Sequence, residues 1–247
     1  VDNDNAFYFA EGGVLFQNYG GGQTSLFCYP AGKVGESYTV PSHVVAIANN
    51  AFESASNLTE IILHENITSI YTSAFRNCTG LIEITIPESV IWIENTLFYG
   101  CSSLKKVNLH NKVEEFIYGA FIDCNFVCEL IIPESVEIIG AGSFRNCRNL
   151  YGEIRLPEGL KCIGTEAFAY SDNLSGNLVI PQGIADIPVN CFNGTWLGGT
   201  LTLHDGITTI GTGAFANTGL KGELRLPKNL EVISHEVFYN CDFSGNL

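Results

Sequence analysis

Five cysteines, Cys78, Cys101, Cys124, Cys147 and Cys241, share one slot of a recurring interval, the first four of them 23 residues apart. Thiols at a fixed interval are the raw material of a disulfide or metal ladder. Slots on neighbouring strands lie about 4.8 Å apart, which suits the Cα separation of a disulfide. Parallel side chains, however, keep their Cβ atoms near that same spacing, beyond the usual range of about 3.5–4.5 Å. The same slot elsewhere holds Ala55, Ser171, Thr195 and Thr218. The position therefore selects small side chains, and buried thiols acting as small hydrophobes are expected. Cys124 and Cys128 form C-x-x-x-C without a second ligand pair, a weak zinc signal. No metal or cofactor is expected.

His64, His110 and His204 recur at a slot otherwise held by proline, and read as turn residues with a ring edge near solvent. His43 and His235 are isolated, and no HExxH, GxSxG or P-loop pattern occurs. No catalytic residue is assigned, and an enzyme is not expected.

A row of charged residues is more informative. Four positions before the proline slot stand Glu60, Glu83, Lys106, Glu129, Glu153, Asn177, Thr200 and Glu223; two before it stand Ile62, Thr85, Asn108, Ile131, Arg155, Val179, Thr202 and Arg225. On strands both rows face outward together. Like charges opposite one another on neighbouring strands destabilise a sheet, so five glutamates in one row are unusual. One explanation is a solvated face with local pairing. The other is a binding surface mixing acid, arginine and exposed apolar residues, for which Glu60, Glu83, Lys106, Glu129, Glu153, Arg155, Glu223 and Arg225 are the candidates.

These rows exist because the chain is a repeat. Phe52, Phe75, Phe98, Phe121, Phe144, Phe168, Phe192, Phe215 and Phe238 are spaced by 23 or 24 residues, and each follows a proline or histidine by eleven. Apolar residues hold the third and sixth positions after that slot, as in Val90 and Ile93, and the first and third before it, as in Ile84 and Ile86. The latter pair alternates with polar residues, the mark of a half-buried strand. Asn77, Asn146, Asn217, Asn240, Gly100 and Gly194, two after the phenylalanine, tolerate a left-handed backbone. One short helical or 3₁₀ turn is predicted around each such phenylalanine. No unit can bury its apolar rows alone, so stacked coils share one core.

Composition limits the partners. The net charge of −14 argues against nucleic acid, and no run of 18 apolar residues exists to span a membrane. The chain starts at Val1 and holds no methionine, which reads as a mature or trimmed fragment.

The frame (L)xx(I/L)x(I/L)Pxx(V/I/L)xxIxxxAFxx(C), carried by residues 41–247, resembles the BspA-like, Treponema-type leucine-rich repeats. The resemblance implies an α/β repeat fold, a right-handed solenoid that is β-rich with short helical turns. Residues 1–40, with "GGVLFQN" and "TSLFCYPAGK", resemble the β-hairpin segment that caps such arrays. Residues 41–247 make about nine coils, the last truncated, since "FSGNL" from Phe243 stops within a strand; that sheet edge could pair with another chain. Members of this family are mostly cell-surface or secreted proteins, and adhesion to matrix proteins or other cells is the role implied. The expected partner is a protein ligand. Two rivals stand beside it: a spacer presenting another domain, and a glycan-binding module using Trp92, Trp196, Tyr99, Tyr170 and Tyr239.

Overall fold

The computed structural model describes residues 5–244. Each coil is built from three hydrogen-bonded sides, and the sequence explains each.

The first side precedes the proline slot. Ser37–Thr39, Glu60–Ile62, Glu83–Thr85 and Lys106–Asn108 pair in parallel as one four-stranded sheet. Gly152–Glu153, Leu174–Val179 and Gly198–Thr202 form a second sheet, and Lys221–Glu223 pairs with Asp242–Ser244. At the slot the chain turns: in all nine coils the N–H three residues on, from Val44 to Leu230, donates to the slot carbonyl. Proline suits this site because the turn asks nothing of its nitrogen.

The second side carries two-residue strands such as Trp92–Ile93, Glu115–Phe116, Ile138–Ile139 and Cys162–Ile163, again parallel. It joins the N-terminal meander. Tyr8–Glu11, Val14–Asn18 and Thr24–Cys28 run antiparallel, and the last of these pairs in parallel with Val44–Ile47.

The third side corrects the expected helical turns, and with them the α/β description: no helix occurs among the described residues, and the fold is a β-solenoid. The cause is a pair of left-handed residues flanking each phenylalanine, two before and two after. In one coil these are Ser73 (φ 58°) and Asn77 (φ 55°), in another Asn190 (φ 52°) and Gly194 (φ 72°). A helix cannot pass through such residues. Instead donors alternate. Phe75 N–H donates to Leu97 of the next coil and Asn77 N–H to Tyr99, while Arg76 N–H turns back on Ser73 and Cys78 N–H on Phe75. Half the donors thus bind the coils together rather than coiling the chain on itself.

The core is one continuous stack. The nine phenylalanine rings lie 5.3–5.7 Å apart, nearly parallel from Phe75 onward except at Phe121–Phe144, where the planes differ by 19°. Tyr29 extends the stack into the meander, 5.3 Å from Phe52. Centroids spaced wider than the strands place the rings in the favoured offset arrangement. The described part of the expected terminal strand, Asp242–Ser244, is paired; Gly245–Leu247 lie outside the described residues, as do Val1–Asp4.

Candidate functional site

The cysteine slot is a hydrogen-bonding position as well as a packing one. Cys78, Cys101, Cys124 and Cys147 are buried, and each Sγ donates to the carbonyl of the preceding coil's phenylalanine at 3.0–3.1 Å. Ser171 Oγ makes the same bond to Phe144 at 2.6 Å, which explains why serine can take the slot. Sequence reasoning anticipated the burial of these four cysteines and missed the bond; the fifth, Cys241 in the last coil, is only half-buried. All nine cysteines are free, and no cluster of three metal-ligating side chains occurs among the described residues.

Burial pushes the Cys78 thiol up to about 12 and also raises Cys101, Cys124, Cys147 and Cys191 well above the ordinary value of 9.0. The unfolded chain ionises these thiols near pH 9 and the folded chain resists ionisation. Their contribution to stability is therefore complete below pH 9 and declines as pH rises through 9 toward 12. A melting-temperature series should fall across that window. Ellman's reagent on the native protein should consume exposed Cys28 and Cys162 at once, and the five buried thiols only on unfolding.

Two histidines of the proline slot, His64 and His110, are half-buried connectors between coils, whereas His204 Nε2 has no hydrogen-bond partner among the described residues. His64 Nε2 lies 2.9 Å from the Pro41 carbonyl and His110 Nε2 2.9 Å from that of Pro87. His110 Nδ1 accepts from the Lys112 N–H at 3.2 Å, which fixes Nε2 as the donor.

The outward row is exposed from Glu60 to Glu223, but it is not one continuous row. Glu60 and Glu83 pair directly, the single register contact between two of these glutamates. Their repulsion is relieved on both flanks. Ser37 Oγ donates to Glu60 at 2.8 Å, Asn108 Nδ2 donates to Glu83 at 2.7 Å, and Lys106 Nζ lies 3.4 Å from Glu83. The Asn108 amide, then the Lys106 ammonium, hold the Glu83 carboxyl below the usual range. Glu129 stands alone, its strand reduced to one bridge with Tyr151. Glu153 pairs with Ser175 and bonds Arg155 at 3.1 Å. Each leans over a glycine: a Cβ on Gly152 would meet Glu129 Cγ at 2.8 Å, and one on Gly176 would meet Glu153 Cγ at 2.7 Å. Glu223 ends a strand of the last sheet and Arg225 lies two residues beyond it, about 30 Å from Glu83 at about 4.8 Å per coil, and they do not join this group.

The break between Lys106–Asn108 and Glu129 has a sequence cause. From the buried residue after each phenylalanine to the next slot the interval is six residues in the early coils (Leu58 to His64, Leu104 to His110). From Phe126 onward it is seven (Phe126 to Pro133, Leu150 to Pro157, Leu220 to Pro227). Phe126 turns inward and Val127, where the earlier coils keep a buried leucine, is 57% exposed. The two registers cannot pair, and the sheet parts.

A cleft of about 200 Å³ opens there. Phe116, Phe121, Phe126, Phe144 and Leu130 line it, Cys128 occupies its wall half-buried, and Lys106, Glu129 and Ile131 stand at its rim. Ile131 is 75% exposed. An apolar cleft beneath a charged rim can take an apolar side chain and pair charges around it.

Parallel coils on a shared apolar core, each set by a proline slot and a stacked phenylalanine, define a leucine-rich-repeat solenoid. The chain belongs to the BspA type leucine-rich repeat family, whose profile matches six copies across residues 27–150 and 118–244. Among solved structures it is similar to a leucine-rich repeat protein from Bacteroides ovatus, at 25% identity and a TM-score of 0.79 over 92% of this chain and 60% of that one. The chain thus spans less than two thirds of that relative. The leucine-rich repeat protein of T. pallidum aligns with 79% of this chain and 81% of its own, at 23% identity and a TM-score of 0.57. A leucine-rich cell surface protein from Faecalibacterium prausnitzii aligns over 98% of this chain and 96% of its own, at 18% identity and a TM-score of 0.56. No curated protein sequence matches the chain. Among the described residues no helix is long and apolar enough to cross a membrane.

Proposed function

We propose that this chain is a non-catalytic binding module, displayed on a cell surface or secreted, that holds a protein ligand on its first sheet face. The observation that carries the reading is the aromatic-lined cleft between Lys106 and Glu129, set in an acidic exposed face. Interfaces draw most of their affinity from a few apolar anchors seated in such pockets, with charges around them setting orientation and encounter rate. The ligand is a segment with an aromatic or aliphatic anchor flanked by basic residues that meet Glu83, Glu129 and Glu153. Of the eight candidates, Glu60, Glu83, Lys106, Glu129, Glu153 and Arg155 fit one footprint, and Glu223 and Arg225 fall outside it. Residues 1–40 serve as the cap of the first coil, their stacked Tyr29 ending the aromatic core.

Surface display is supported by the likeness to the leucine-rich cell surface protein of Faecalibacterium prausnitzii. The test is immobilised fibronectin and fibrinogen titrated with the wild type and with a Glu83→Lys/Glu129→Lys/Glu153→Lys variant. Saturable binding that weakens by about tenfold or more in the folded variant, and declines with salt, is expected. Absence of binding to both proteins, or equal binding by the variant, contradicts the reading.

A further inference from the structure

The second side of the solenoid holds a groove that the proposed protein site does not use. It lies where Thr24–Cys28, Val44–Ile47 and Ser69–Ile70 meet, and measures about 800 Å³, continuing into a further pocket of about 280 Å³ toward Trp92. The two share Thr68, Ser69 and Tyr71. They adjoin the point where Ser69–Ile70 and Trp92–Ile93 fall into separate sheets, so lapsed pairing again opens the surface.

We propose that this groove binds a neutral oligosaccharide built of pyranose rings. Four aromatic side chains line it while remaining open to solvent: Tyr19 (62%), Phe27 (38%), Tyr71 (46%) and Trp92 (51%). Such rings cost free energy in water unless something stacks on them, and their faces suit the C–H faces of sugar rings. The floor between them is small. Phe27, Ala48 and Tyr71 follow the paired residues Leu26, Ile47 and Ile70, so one alanine separates two aromatic walls about 10 Å apart at two strand spacings. Tyr8 packs edge-on against Phe27, centroids 5.3 Å apart, and holds that wall in place. Polar partners are present and uncommitted: among the described residues the side chains of Gln23, Asn49 and Ser69 make no hydrogen bond to the protein, and all three line the groove. Interleaved stacking faces and free amide and hydroxyl groups are what a polyhydroxylated ring requires. A chain of net charge −14 disfavours sulfated or carboxylated sugars, which leaves the neutral class.

The proposal is independent of the sheet-face site and is tested separately. A Trp196→Phe background leaves Trp92 as the one tryptophan, so its emission reports the groove directly. Cello-, laminari-, malto- and chito-hexaose are titrated to millimolar concentration. The expected result is a saturable change in Trp92 emission with at least one sugar. Tyr71→Ala should weaken that binding by about tenfold, while Tyr239→Ala, an exposed aromatic at the far end, should leave it unchanged. No saturable change with any of the four, equal affinity in Tyr71→Ala, or equal losses in both variants would overturn the proposal. So would preferential binding of a proline-rich peptide, the other ligand that aromatic grooves recognise. A Cys128→Phe change on the opposite site should not alter the sugar affinity.

Discussion

Replacing Phe121 by alanine should destabilise the protein by about 3–5 kcal/mol and split its unfolding into two transitions. Phe121 is 1% exposed and touches four other rings: Phe98 and Phe144 at 5.5 and 5.3 Å in the stack, Phe116 and Phe126 edge-on at 5.7 and 5.4 Å. Its removal leaves a cavity and takes a stacking partner from both neighbours. The level matters as much as the residue. Beside Phe121 the first sheet has already parted between Lys106–Asn108 and Glu129, so the two halves are joined there by the aromatic stack, the second side and the turn ladder. Weakening that junction should uncouple the coils on either side, because a solenoid's cooperativity is a chain of nearest-neighbour terms. Phe238→Ala, stacked on one neighbour in the last coil, should cost markedly less. Urea unfolding followed by far-ultraviolet circular dichroism measures both. A single transition for Phe121→Ala, displaced no further than that of Phe238→Ala, would contradict this picture.

Gly164→Val should cost about 3 kcal/mol or more through a different mechanism, the separation of two backbones. A Cβ at Gly164 would meet the Ala141 backbone nitrogen and sit 2.6 Å from the Gly140 carbonyl carbon. Neither neighbour is a side chain that can swing away. Gly164 N–H donates to Ile139 at 2.7 Å and Gly140 N–H to Phe116 at 2.7 Å, so three coils approach closely along this line. Gly159→Ala is the control, since a Cβ there meets nothing within 4 Å, and it should be near neutral. Equal thermal melts for the two variants would show that the coils can spread at no cost.

The apolar frame was legible because stacking makes the same demand in every coil. Phenylalanine, the proline slot and the two apolar positions after it each fill one place in a shared core, and repetition makes such demands visible. The turn ladder was half legible. Asn77 and Gly100 announce a left-handed residue after the phenylalanine. The equivalent before it is carried by Ser73, Thr96, Glu166 and Glu236 as well as by glycine and asparagine, and such residues do not advertise φ near 50–60°. Stacking hydrogen bonds impose that conformation from outside the coil, so local propensity predicted a helix where neighbours dictated turns.

The candidate site was legible as a list and not as an arrangement. Counting back from the slot matches the pairing of Glu60, Glu83 and Lys106, but it sets Glu129 opposite Glu153 and Glu153 opposite Asn177, whereas Glu129 bridges Tyr151 and Glu153 pairs with Ser175; the interval from the buried residue to the slot lengthens at Phe126. That one residue breaks the sheet, separates Glu129 from Lys106 and opens the cleft. The position is Cys128, where later coils place Gly152, Gly176 and Gly222. Of the aromatic groove only Trp92 stood among the sequence candidates, because Tyr19 and Phe27 come from outside the repeat.

The central claim is that the cleft seats the anchor of a protein ligand, and filling it is the most direct test. Cys128→Phe places a ring on the cleft wall, among Phe116, Phe126 and Leu130. Its affinity for immobilised fibronectin is to be compared with that of the wild type by biolayer interferometry, alongside the melting temperature. The account predicts affinity reduced by about tenfold or more with the melting temperature held or raised. A folded Cys128→Phe protein that binds as tightly as the wild type would contradict it.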